Sequence, residues 1–135
     1  MAGFLDRYST SKDLEEEGVW VDFGDGLKIQ IRRINSKTSR EYRRKLEKPY
    51  ASQFRNREMP ESLQEELLNK QVANSIVVAW EGVPDPSDPK KALSCTPENV
   101  LRMVTEFSDF RDDILTAAME RTTFQKEETK AAEKN

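Results

Sequence analysis

The side chains with chemistry to offer are few. The chain has no histidine and a single cysteine, Cys95. That removes the commonest general base and the commonest metal ligand, and it leaves the thiol without its usual activating partner. Cys95 stands between Ser94 and Thr96 and reads as an incidental loop residue. Acidic residues adjoin at Glu15-Glu16-Glu17 and at Glu65-Glu66, but neighbours along a helix do not face one another. They read as solvated charges rather than as an acid/base pair. No glycine-rich phosphate loop, dinucleotide fingerprint or zinc spacing occurs. The acids of Pro84-Asp85-Pro86-Ser87-Asp88-Pro89 lack the glycine and closing glutamate of a calcium loop. The expectation is a non-enzymatic protein with no catalytic, metal or cofactor-binding residues, one that acts by contact.

The contact chemistry is concentrated in one basic segment. Residues 28–57 hold eleven basic side chains against two acidic ones, in a chain of net charge -3. Within it, Arg40, Arg43, Arg44, Lys45 and Lys48 crowd one short stretch, with Tyr42, Leu46, Tyr50 and Phe54 recurring every fourth residue. On a helix that spacing gives an apolar stripe with cationic flanks. Arg40, Tyr42, Arg43, Arg44, Tyr50 and Phe54 are therefore candidate partner contacts, and Trp20, on the polar face of an expected strand, is another. The same aromatics serve equally as core. A cationic face can hold phosphates, meet an acidic protein or simply stay solvated. With no known nucleic-acid motif in an acidic chain, nucleic acid is not the expected partner.

The elements that position these residues follow from local pattern. Val19, Val21 and Phe23 alternate with Trp20 and Asp22, and Leu27, Ile29 and Ile31 alternate with Lys28, Gln30 and Arg32. Gly24-Asp25-Gly26 between them suits a tight connection, which predicts a β-hairpin over residues 18–34. Thr38-Ser39-Arg40-Glu41 reads as a capping box opening the basic helix, which Pro49 should kink or break. Residues 60–83 carry the longest helical pattern, with Pro60 at its first position, Leu63, Leu67, Val72, Ile76 and Trp80 near one stripe, and Gly82 as its stop. This is the expected central helix. Residues 84–89 form a loop. Thr96 caps a helix begun by Pro97, with Val100, Leu101, Val104 and Phe107 inward, and Ser108 or Asp109 caps another, with Phe110, Ile114, Leu115, Ala118, Met119 and Thr122 inward.

The predicted fold is α+β, mainly α, with the N-terminal β-hairpin packed on a bundle of about four helices. Residues 1–13 are expected as a flexible arm, 14–124 as a single domain and 125–135 as a polar C-terminal tail. A chain of 135 residues that is 36% hydrophobic and 35% charged supports one modest core and marginal stability. No apolar run resembles a signal peptide or spans a bilayer, so a soluble protein without membrane contact is expected, and one cysteine suits a reducing cytosol.

The chain also resembles the tail assembly chaperones of long-tailed bacteriophages. The resemblance is carried by the segment 17–26 (EGVWVDFGDG), Lys45-Leu46-Glu47-Lys48-Pro49-Tyr50, Ala79-Trp80-Glu81-Gly82-Val83, Pro97-Glu98-Asn99-Val100-Leu101, Phe107-Ser108-Asp109-Phe110-Arg111 and the Lys134-Asn135 ending. It departs from the family in its loop, where Asp85-Pro86-Ser87-Asp88-Pro89 replaces a frequent Asp-Gly. The resemblance implies an assembly factor of the host cytoplasm that looks after the tape measure protein, helps recruit tail tube protein subunits and is not retained in the mature virion. In that family a translational frameshift often gives a longer product. Two other readings stay open: a structural head–tail connector or tail completion protein, and a small nucleic-acid-binding regulator using segment 28–57. An uncovered apolar face on the hairpin would favour self-association.

Overall fold

A computed structural model describes residues 3–126 of the chain. The hairpin forms as its pattern requires: β1 (Val19–Gly24) pairs antiparallel with β2 (Leu27–Ile31). Gly24, Asp25 and Gly26 all take positive φ at the connection (91°, 54° and 82°), the twist that lets two right-handed strands meet in a short turn. The apolar face of the hairpin lies inward. Ile29 and Ile31 are fully buried, and Val19, Val21, Phe23 and Leu27 pack partly covered against the same core.

The expected central helix over residues 60–83 is corrected by the structure. Helical backbone persists only through α5 (Glu61–Gln71) and one π turn (Val72–Ile76), and the chain then extends as β3 (Val77–Glu81). β3 pairs antiparallel with β2, giving a three-stranded sheet in the order β1-β2-β3. The reason lies in the neighbour. A lone hairpin is marginal in water, and the run Ile76-Val77-Val78 is β-branched, suited to a pleated surface. Val77 and Trp80 reach the core from the strand as readily as they would from a helix. Pro60 stands just outside α5 as its N-cap, with extended backbone. Gly82 closes the strand at φ 83°, and a Cβ there would lie 2.2 Å from the Gly26 carbonyl oxygen, so only glycine fits between the two turns.

The α+β class stands. Four longer helices accompany the sheet: α3 (Lys37–Glu47), α5, α6 (Pro97–Glu106) and α7 (Ser108–Met119). α3 packs on α5, α5 on α6, α6 on α7, and α7 reaches β2. A 3-10 turn (Lys48–Tyr50) containing Pro49 leads from α3 into the short α4 (Ala51–Asn56), the break expected of that proline. Thr96 caps α6, its hydroxyl accepting from the Asn99 N–H at 3.2 Å. Four further expectations are corrected. Ser36, not Thr38, is the N-cap of α3. The loop at 84–89 is part of a second, small hairpin of β4 (Pro84–Asp85) and β5 (Asp88–Ala92), its prolines kept to a two-stranded edge where a missing N–H is tolerated. Phe107 and Met119, placed inward by periodicity, end their helices exposed at 44% and 57%, and α7 begins without a side-chain cap from Ser108 or Asp109.

The two ends of the described chain meet. Within the expected N-terminal arm, residues 4–8 form α1 (Phe4–Tyr8), and α2 (Lys12–Glu17) follows with Ser11 as its N-cap. The Ser11 N–H donates to the Phe124 carbonyl at 2.9 Å, and Gln125 Nε2 donates to the carbonyls of Arg7 and Ser9 at 2.9 and 3.2 Å. Phe124, in a 3-10 turn (Arg121–Phe124), and Gln125 are buried. The rest of the expected polar tail, residues 127–135, lies outside the described residues.

Candidate protein-binding groove

α3 carries most of the candidate residues, and three devices fix its position. The Ser36 hydroxyl accepts from the Ser39 N–H at 3.3 Å. The Glu16 carboxylate, from α2, accepts from the backbone N–H groups of Lys37 and Thr38 and from the Thr38 hydroxyl at 2.7 Å. Burial raises the Glu16 carboxyl, but these donors outweigh it and hold the group below the usual carboxylate range. An anion at the positive end of a helix is the stabilising arrangement. Third, a buried polar cluster ties α3 to α5 and the π turn. Gln71 Nε2 donates to Ser39 Oγ at 3.0 Å, and Ser75 Oγ lies 3.2 Å from Ser39 Oγ and donates to the Gln71 carbonyl at 2.7 Å. Every member has a partner, so the cluster's hydrogen bonds offset the cost of taking these groups out of water.

With α3 held there, an open groove of about 500 Å³ runs between α3, α4 and α5. Its apolar walls include Leu46, Phe54, Met59 and Leu68, with Ile34 and Leu67 beside them, and Arg43, Glu47, Glu61, Glu65 and Arg111 stand along it. Phe54 is 41% exposed, whereas Met59 is buried. Arg43 Nε lies 3.9 Å from Glu47, a loose contact between half-exposed groups. Arg111 is held tightly: it reaches Glu65 at 2.7 Å, Asp112 at 3.1 Å and the Asn69 side-chain oxygen at 3.3 Å. Its hydrogen bond to Glu65, helped by Asp112 and against the effect of burial, raises its proton affinity further. Concave, mostly apolar surfaces with a few placed charges are where ligands and peptide segments dock.

The structure brings together two of the predicted contacts, Arg43 and Phe54, in this groove. Arg40 and Arg44 are exposed on α3 outside its lining, and Tyr42 and Tyr50 are half-buried outside it. Trp20 lies on β1, 47% exposed, on the sheet face opposite Val19 and Val21. Sequence reasoning missed Met59, Leu68 and Arg111. Leu68 adjoins the α5 stripe and was within reach of periodicity. Arg111 arrives from α7, far along the chain, and carries no local signal. Among the described residues no cluster of three or more histidine, cysteine, aspartate or glutamate side chains could hold a metal ion. Burial pushes the Cys95 thiol up, against a lowering hydrogen bond from the Trp80 backbone, so it stays protonated near neutrality. No helix among the described residues is long and apolar enough to cross a membrane.

Fold and groove together define a small α+β protein with a concave surface of mixed apolar and charged character. The chain belongs to the YdaY prophage protein family, whose model matches residues 34–135, and it is thus phage-derived. No curated protein and no solved structure matches it.

Proposed function

We propose that this protein is a non-enzymatic tail assembly chaperone that binds the tape measure protein and helps recruit tail tube subunits, acting in the host cytoplasm and leaving before the virion is mature. The observation that carries this reading is the groove between α3, α4 and α5, where Phe54 is exposed and Leu46 and Leu68 are half-buried over a floor that includes the buried Met59. A tape measure protein is a long helical polypeptide whose apolar stripes need cover before the tube encloses it. Helix-in-groove docking suits that client, because an apolar stripe inserts while charges at the rim fix its direction. The phage-derived family and the resemblance to tail assembly chaperones support the same reading.

The test is capture of the co-expressed tape measure protein. Arg43→Glu combined with Phe54→Asp, both at exposed positions, should cut capture about tenfold or more while far-UV circular dichroism stays unchanged. Undiminished capture removes the groove as the client seat. Finding the chain as a stoichiometric component of purified particles removes the chaperone reading itself in favour of a connector or tail completion protein. The exposed cations Lys37, Arg40, Arg44 and Lys45 along α3, with Lys48 just beyond its end, favour a second reading, a nucleic-acid-binding regulator. That reading requires binding that weakens steeply with salt, and a gel shift without it disposes of the idea.

A further inference from the structure

Trp20 does not belong to the groove, and its surroundings point to a different interface. β1 is an edge strand: among the described residues it pairs with β2 alone. Its inward side chains are incompletely covered. Ile29 and Ile31 on the adjoining β2 are fully buried, while Val19, Val21 and Phe23 remain only partly so. On its outer face Trp20 stands 47% exposed, in a row with Gln30 and Ala79 across the sheet. The strand also lacks the usual protection of an exposed edge. Residues 19–24 contain no lysine and no proline, and the register irregularity falls at Phe23, between Asp22 and Gly24, which leaves residues 19–22 in regular pairing. Its only charge, Asp22, is turned back onto the Gly24 N–H at 2.8 Å.

We propose that β1 is a self-association edge, where a second copy of this chain adds its own β1 antiparallel across a two-fold axis near Val21. The occupant follows from the self-complementarity of the strand. With Val21 at the axis, the two Val21 side chains meet on the inner face and Val19 approaches the second copy's Phe23, the bulged residue at the turn end, adding cover to an apolar row that the core buries only in part. On the outer face Trp20 meets the second copy's Asp22, so no like charges oppose one another. Lys28, the hairpin partner of Asp22, sits alongside to balance that acid. The contact is isologous and closes at two copies, joining two three-stranded sheets into one of six strands. It lies apart from the groove, so a dimer built this way would present two grooves.

Light scattering of the purified full chain across a concentration series tests this. A concentration-dependent dimer is expected, and Trp20→Lys should weaken it about tenfold or more with circular dichroism unchanged, and with the thermal midpoint unchanged at concentrations where both chains are monomeric, since that side chain projects from the open face. Directly opposed antiparallel residues have Cα atoms about 4.5–5.5 Å apart, within disulfide reach. Val21→Cys in a Cys95→Ser background should therefore cross-link two chains under mild oxidation, and Ser52→Cys in the same background should not. A chain that stays monomeric at about 100 μM, weaker than useful association, overturns the proposal. So does a dimer that survives Trp20→Lys and fails to cross-link through Val21→Cys, because it must use another surface. Capture of the tape measure protein is scored separately, so either proposal can fail alone.

Discussion

At the scale of single residues, Glu15 has the most consequential surroundings. It is buried on α2, 4% exposed, with Arg33 at 2.7 Å and Lys12 at 3.1 Å. The Arg33 guanidinium also lies over the Phe124 ring, 5.9 Å from its centre, and the Arg33 N–H donates to the Glu15 carbonyl. One carboxylate thus ties α2 to the end of the hairpin and to the segment that closes the described chain. Burial pushes its carboxyl up, but the hydrogen bonds and charges of Arg33 and Lys12 outweigh that and hold it below the usual range. A depressed folded value means stability that is present above the unfolded glutamate value of about 4.3 and is lost as pH falls through the lower folded one. Glu15→Gln should cost about 2 kcal/mol near neutrality, less than for a fully enclosed pair because the Arg33 side chain is 19% exposed. Urea denaturation at neutral and acidic pH checks it: the gap between wild type and variant should close in acid, and a constant gap would show that charge is not what Glu15 contributes.

At the scale of elements, α4 and β2 are opposites. α4 has no buried residue, follows the turn at Pro49 and ends at Arg57 in a left-handed conformation, φ 55°. β2 is the central strand, with two side chains at 0% exposure. Local opening follows buried contact, so amides of residues 51–56 should exchange with solvent roughly two orders of magnitude faster than those of Ile29 and Ile31. Hydrogen exchange followed by mass spectrometry measures this directly. If the client lies in the groove, its addition should slow exchange in residues 51–56 selectively, since Phe54 forms part of the wall. Equal protection of the two elements in the free protein would mean that α4 is a fixed part of the body.

At the scale of the whole molecule, the family match begins at residue 34, yet the fold does not divide there. The earlier residues supply β1 and the middle strand of the sheet, the Glu16 cap on α3 and the Glu15 tie. Expressed alone, residues 34–135 should fail to fold cooperatively. Losing Ile29 and Ile31, both fully buried, forfeits about 2–5 kcal/mol for each side chain, comparable to the total stability of about 5–15 kcal/mol usual for a domain. Dye binding to exposed apolar surface and a broad thermal transition are the expected readouts, against a sharp transition for the full chain.

Features governed by near neighbours in the chain were legible in the sequence. The hairpin at Gly24-Asp25-Gly26, the break at Pro49 and the Thr96 cap all depend on residue type and short spacing, which tertiary contacts did not override. Of the candidate contacts named from the sequence, Arg43 and Phe54 line the groove and the other five do not, because periodicity gives a helix face and not what stands opposite it. Tertiary structure alone decided the fate of residues 72–81. Their apolar side chains satisfy a helical stripe and a buried strand equally well, and the open edge of β2 tipped the balance by offering backbone hydrogen bonds to a segment more than forty residues away. The same folding-back closed α5 against α3, and with it brought Met59, Leu68 and Arg111 around one groove that no local pattern encodes.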